Sequence, residues 1–178
     1  MSKKRQDLVE RADVLFYENG FHAIGLKRIV GEAGVALMTL YNHFDSKEDL
    51  ILEVLNQRGE RYFAYLEEAV SEGNAKDLAS ISRLLADSHV RWLRSEGSNG
   101  CMFLRAKEEY SFENQQIVKQ VVAHKESLRS FFLTHGMTEK QALQLAMLFE
   151  GATALAEVHD LEDVANEFSD LVHMLFKE

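Results

Sequence analysis

The sequence predicts an all-α chain of about nine helices. Apolar residues recur at helical spacing almost throughout, and no run alternates long enough to make a strand. Proline, which an average chain uses at about 5%, is absent. Glycine and asparagine fall between the periodic segments, where helices need stops.

Leu8, Ala12 and Leu15 share one face of a first helix running from about Lys3 to Asn19, which Gly20 stops. Leu26, Ile29, Val30 and Ala33 stand at i, i+3, i+4 and i+7 of a short second helix closed by Gly34. Leu37, Leu40, Tyr41 and Phe44 repeat that spacing in a short third. Ser46 with Asp49 makes a capping-box-like start for a long helix to about Glu72. Gly73-Asn74 breaks the chain, and Leu78, Ile81, Leu85 and Trp92 mark a helix to about Ser95. After the loop Glu96 to Gly100, a shorter helix covers Cys101 to Tyr110. Ile117, Val121, Leu128 and Phe131 define the next, closed near Gly136. Thr138 caps another reaching about His159, and Val164, Phe168, Leu171 and Leu175 define the last. Gly59, inside the long helix, reads either as a domain boundary where the charge shifts or as a tolerated glycine costing about 1 kcal/mol against alanine.

The 178 residues carry a net charge of -9, and 46% are hydrophobic, enough for a substantial core. The charge is uneven: residues 1–58 sum to -1 and residues 59–178 to -8. A global basic field is missing, so any nucleic-acid contact must come from donors placed locally in the first third. No apolar run approaches the roughly 20 residues of a membrane helix. The start, MSKKRQDLVERAD, lacks an apolar signal core. The single Cys101 cannot form an internal disulfide. These features predict a cytoplasmic protein without a membrane partner. No Gly-rich phosphate loop, paired-carboxylate spacing or Ser/His/Asp signature is present, so no catalysis is expected. The seven histidines include no pair at i, i+4 and face no cysteine cluster, so no metal or cofactor is expected either.

The short helices around Gly34-Val35-Ala36 have helix-turn-helix spacing. A tight turn lets the second helix enter a DNA major groove while the helix before it crosses the backbone. The stretch GVALMTLYNHFDSKEDL follows the pattern G-V-S-x-x-x-L-Y-x-H-F-x-S-K-E-x-L at Gly34, Val35, Leu40, Tyr41, His43, Phe44, Ser46, Lys47, Glu48 and Leu50. Leu15-Phe16, Gly20-Phe21 and Ile29 extend the match upstream. This region resembles the DNA-binding region of TetR-family bacterial transcriptional regulators. The resemblance covers about the first third of the chain; the remainder agrees in being all-helical and of similar length.

The resemblance implies a helix-turn-helix DNA-binding domain over residues 1–50 and a helical ligand-binding and dimerisation domain over residues 51–178. It implies a repressor that leaves a palindromic double-stranded DNA operator when a small-molecule effector binds. Tyr41 and His43 would bond phosphate oxygens. Lys47 would do so from the first turn of the long helix, where the dipole also favours an anion. Lys27 and Arg28 would reach the backbone or a guanine edge. Thr39 and Asn42 would face the groove, where asparagine can pair with adenine, and Met38 would meet thymine methyls. Periodicity assigns Leu37 to the core. Two positions depart from the family pattern. Gly25 stands where Thr or Ser is usual and Ala36 where Ser is usual, and a lost cap costs typically ~1 kcal/mol. Lys3, Lys4 and Arg5 read either as a DNA-contacting arm or as a solvated end.

In the resembling family the C-terminal domain dimerises and binds the effector. Small residues such as Ala142, Ala146, Ala152 and Ala156, with the stripe Val164, Phe168, Leu171, Val172 and Leu175, fit a homodimer through the last two helices as a four-helix bundle. They fit completion of the monomer core equally well. His89, Trp92, Cys101, Tyr110, His124 and Glu150 are the candidate effector-binding residues, as anchors in an otherwise apolar cavity. Glu150 would favour a ligand with a positive or donor group. The alternative is a helical-bundle carrier of small molecules without DNA readout, which has no need of Tyr41, His43 and Lys47 in register.

Overall fold

The computed structural model describes residues 2–177. Among them every regular element is a helix: α1 (Lys3–Asn19), α2 (Leu26–Glu32), α3 (Leu37–Tyr41), α4 (Lys47–Glu72), α5 (Leu78–Glu96), α6 (Met102–Tyr110), α7 (Gln115–Thr134), α8 (Glu139–Leu155) and α9 (Leu161–Leu175). The chain forms two compact units. One holds residues 1–60 and 102–124, the other residues 61–101 and 125–178. None of the described helices is long and apolar enough to cross a membrane.

The first unit contains α1, α2, α3, the start of α4, α6 and the first half of α7. Ser2 caps α1 by accepting the Arg5 amide at 3.3 Å. Ser46 Oγ caps α4 by accepting the Asp49 amide at 3.0 Å, with Glu48 and Asp49 at the positive end of the helix dipole. Leu8, Phe16, Phe21, Ile24, Ile29, Leu40, Leu50 and Ile51 are each fully buried and form the core of this unit together with neighbouring apolar residues. One charged pair is buried with them: Arg58 donates to Asp13 at 3.1 Å and lies 4.4 Å above the Tyr17 ring. Gly59 stands where α4 packs against His124 and Phe103. A Cβ there would sit 3.2 Å from Nδ1 of His124 and 3.5 Å from Phe103, whose two rings stack with centroids 3.5 Å apart. A larger residue would push α4 off that stack.

The second unit contains the end of α4, α5, the second half of α7, α8 and α9. Its helices start on reciprocal caps, Asp77 with Ser80 on α5 and Thr138 with Gln141 on α8. Asp160 accepts the Glu162 and Asp163 amides to start α9. Phe132, Phe149 and Phe168 centre the core, with edge-to-face contacts of 5.2 Å between Phe132 and Phe149 and 5.4 Å between Phe149 and Phe168. Helix α8 stops at Leu155, short of the His159 that the sequence predicts. The chain turns over residues 156–158 while apolar residues continue through Ala156 and Val158, so periodicity hides the stop.

Candidate nucleic-acid interface

The turn between α2 and α3 is a Schellman motif. The Val35 amide donates to the Val30 carbonyl at 3.0 Å, and the Gly34 amide to the Gly31 carbonyl at 3.4 Å. Gly34 occupies the left-handed position with φ 66°, which a side chain would strain. The motif satisfies two orphan carbonyls of α2 and turns the chain at once into α3. Neither helix has a side-chain cap, because Gly25 and Ala36 stand at the capping positions.

α3 has a sharply divided surface. Leu40 on the helix and Phe44 in the turn after it are buried at 0% and 4% exposure. The Phe44 amide donates to the Leu40 carbonyl at 2.9 Å, so Phe44 packs from the turn rather than from the helix. On the outer side Met38 is 69% exposed and Tyr41 48%. Asn42 is exposed as well, and Leu37, Thr39 and His43 are half-buried. A donor, acceptor and apolar set of this kind suits base edges and phosphates together.

The cations are less uniform. Lys27 is exposed on α2. Arg28 is tied by Nε to Glu32 one turn on, at 3.0 Å. Lys47 turns back into its own unit: Nζ donates to the Phe21 carbonyl at 2.7 Å. Burial lowers the Lys47 pKa, partly offset by Glu48 and Glu109. Lys3 and Lys4 sit in the first turn of α1, and Arg5 bonds Glu53 at 2.9 Å over the Phe44 ring. The basic run is therefore part of a helix start that Ser2 caps, with Lys3 and Lys4 exposed on it. Ser2 Oγ also lies 3.3 Å from Nε2 of His43, joining the start of α1 to the end of the recognition segment.

Of the candidate effector residues, His89, Trp92, Cys101 and Glu150 lie in the second unit, and Tyr110 and His124 in the first. His89 is 5% exposed and fully engaged. Nδ1 meets the Tyr62 hydroxyl at 2.8 Å, and Nε2 meets Thr153 Oγ1 at 3.0 Å and the Phe149 carbonyl at 3.2 Å. Burial holds its pKa down to about 3, against the raising effect of the Phe149 carbonyl. Glu150 is paired with Lys125 at 2.5 Å, and the same ammonium lies 3.2 Å from Cys101 Sγ. The carboxylate is thus already matched by a cation. Tyr110 packs edge-on against Phe21 at 6.3 Å and His22 at 4.7 Å. Tyr62, Thr153 and Lys125 are the participants that sequence reasoning missed. Each looks locally like an ordinary helix residue.

The α8–α9 hairpin leaves an apolar face uncovered. Leu143, Met147, Leu155, Leu171 and Met174 are 41–67% exposed. An open groove of about 370 Å³ runs between the two helices, lined by Met147, Leu155, Val164 and Leu171 among others. Gly151 is exposed on its floor, and a Cβ there would meet nothing within 4 Å.

Residues 8–54 match the family model for bacterial regulatory proteins of the tetR family. The chain is 36% identical over 88 residues to the transcriptional repressor KstR2 of Rhodococcus jostii, an alignment covering 49% of this chain and 43% of that protein. It therefore spans less than half of that relative's length. It is 22% identical over 135 residues to the fatty acid metabolism regulator protein of Bacillus subtilis, covering 75% of this chain and 68% of the relative. Among solved structures, a TetR-family transcriptional regulator of Streptomyces coelicolor is 32% identical with a TM-score of 0.84, over 98% of this chain and 96% of that one. A TetR regulator of Legionella pneumophila, at 20% identity, shares the fold with a TM-score of 0.80 over 99% of both chains.

Proposed function

The chain belongs to the TetR family of transcriptional regulators, and from that premise we propose that it is a cytoplasmic repressor that occupies a palindromic operator as a homodimer. The observation that carries the reading is the divided surface of α3. Leu40 and Phe44 anchor the segment, while Met38, Tyr41 and Asn42 project outward next to half-buried Thr39 and His43. Lys27 supplies an exposed cation on the preceding helix. This arrangement supports base reading by Met38, Thr39 and Asn42. It also supports phosphate contacts by Tyr41, His43, Lys27, Arg28 and, after release of its internal bond, Lys47. The carrier alternative gives no reason for this set.

The apolar α8–α9 face supports dimerisation. A two-fold axis through the hairpin would cover the groove with its own copy, since such an interface is self-complementary. Exposed Gly151 would permit close approach of the helices. The dimer would present two recognition segments roughly 34–36 Å apart, one turn of DNA. The effector in this reading is a small molecule held in the second unit; His89 and Glu150 are already bonded inside that unit, so either could anchor it only by exchanging its present partner. It releases the DNA only through unequal affinity for the two dimer geometries. No catalytic step is assigned.

Fluorescence anisotropy on DNA flanking the gene, against a scrambled duplex over a salt series, tests the proposal. Tight binding to one fragment with a steep salt dependence is expected. Equal weak binding to both at every salt would put the operator elsewhere or bring the carrier reading to the front.

A further inference from the structure

We propose that Glu109, a residue of α6 outside the helix-turn-helix, is a positioning residue for DNA recognition. It fixes the turn that sets α2 and hence α3. The inference rests on the DNA-binding reading above.

The turn begins where α1 ends. Gly20 closes α1, and Phe21 and His22 lead toward α2. A helix end leaves carbonyls without partners, and a turn leaves amides without partners. Here α6 supplies both kinds of partner from one face. Arg105 donates to the Tyr17 carbonyl, in the last turn of α1, at 2.7 Å. One turn further along α6, the Glu109 carboxylate accepts two successive amides, Phe21 at 3.0 Å and His22 at 2.6 Å. Each carboxylate oxygen takes one, a charge-assisted pair that fixes the direction of the peptide planes as well as their distance.

The neighbouring side chains tighten the same grip. The fully buried Phe21 ring packs on Phe16 at 5.1 Å and on the edge of Tyr110 at 6.3 Å. The Phe21 carbonyl receives Lys47 Nζ. One peptide segment is thus held by a carboxylate from α6 at its amides and by an ammonium from α4 at its carbonyl. The His22 ring adds weaker contacts to the two carboxylates it faces, 3.8 Å to Glu109 and 3.3 Å to Glu113. From this segment the chain runs directly into α2, which carries Lys27 and the Schellman turn into α3. A tilt of the segment moves every residue placed to touch DNA. The second site of control over the reading head is therefore a residue more than fifty positions downstream of it.

The test uses the full chain and a duplex that the wild-type protein enriches from a random-sequence library, with a scrambled duplex as reference. Affinities are read by anisotropy well below the unfolding midpoint, which is measured for each variant. Glu109→Ala is expected to weaken binding to the enriched duplex about tenfold and to narrow the ratio over the scrambled one. Glu109→Gln keeps the size and one acceptor oxygen, and should fall between wild type and Glu109→Ala. A merely structural role would lower the midpoint and leave the ratio unchanged, which would overturn the proposal. If Glu109→Ala does not fold, Glu109→Gln decides: a wild-type ratio overturns the proposal, and a narrowed ratio supports it. A wild-type chain that enriches no sequence would overturn the DNA-binding reading itself, and this inference with it.

Discussion

Met38 on α3 and Met147 on α8 are almost equally exposed, 69% and 67%, yet they sit in different company. Met38 is surrounded in sequence by Thr39, Tyr41, Asn42 and His43, side chains that can bond to phosphates and base edges. Met147 shares its face with Leu143, Leu155 and Leu171, and the groove beside it is mainly apolar, with His159, Asp160, Asp163 and Glu167 also on its lining. An exposed methionine alone means little, because much of any protein surface is apolar. A contiguous apolar patch does mean something. The comparison separates two kinds of surface, which on the proposed function would meet a hydrated polyanion and a second copy of the apolar face.

The strongest way to break the comparison is Met147→Glu. If the α8–α9 face pairs with its own copy as proposed, a charge in the middle of it should leave a folded monomer in sedimentation. Affinity for a two-half-site operator should fall by about a hundredfold or more, since linked half-sites gain that much from being joined. A Met147→Glu protein that remains a dimer would remove α8–α9 as the interface. On the other surface, Leu40→Ala and Met38→Ala divide stability from recognition. Leu40 is fully buried, so its truncation should cost about 2–5 kcal/mol in denaturant unfolding. Met38→Ala should stay within about 0.5 kcal/mol of wild type and still weaken operator binding. Equal DNA affinity for Met38→Ala and wild type would take Met38 out of the groove.

Much of this was legible in the sequence, for physical reasons. Gly20, Gly34, Ser46 and Thr138 act on their immediate neighbours, so these helix limits can be read locally. Leu40 and Phe44 declare the inner side of the segment formed by α3 and the turn after it by spacing, and Met38 and Asn42 its outer side. What could not be read are the pairings across long separations. Asp13 with Arg58, Glu109 with the Phe21 and His22 amides, and Lys125 with Glu150 join residues 45, 88, 87 and 25 positions apart. No local pattern links such partners. Lys47 shows the same limit within one side chain. Its place in the first turn of α4 was evident, but the rotamer that aims it at Phe21 depends on where α1 ends in space.

The second unit also carries a buried titration that sharpens the contrast between interiors. The first unit buries a charged pair, Arg58 with Asp13, and the second a neutral histidine. The His89 pKa is held down to about 3 from an ordinary 6.5, first by burial. On acidification the unfolded chain takes the proton before the folded one does. His89's contribution to stability is therefore complete above pH 6.5 and is lost as pH falls from there toward 3, at up to about 1.4 kcal/mol per pH unit. Unfolding free energies at pH 7.5 and 5.0 should show a smaller acid loss in His89→Asn than in wild type. Parallel pH curves for the two proteins would mean that His89 is not the group that titrates.

The smallest expected effect lies in the contrast between Lys27 and Lys47. Lys27 is exposed on α2, and Lys47 is bonded inside its unit. If Lys27 neutralises one phosphate, Lys27→Ala should reduce the salt slope of operator binding by about 1 and weaken all sequences alike. Its unfolding midpoint should not change. Lys47→Ala removes the bond to the Phe21 carbonyl and should lower the midpoint as well, because that carbonyl loses its charged partner. A change in slope without a change in midpoint marks a lysine that serves DNA directly. A change in both marks one that also serves the turn on which the reading head is mounted. Should Lys27→Ala leave the slope untouched, the phosphate path would have to run past α3 and the start of α1 instead, where His43 and Ser2 meet.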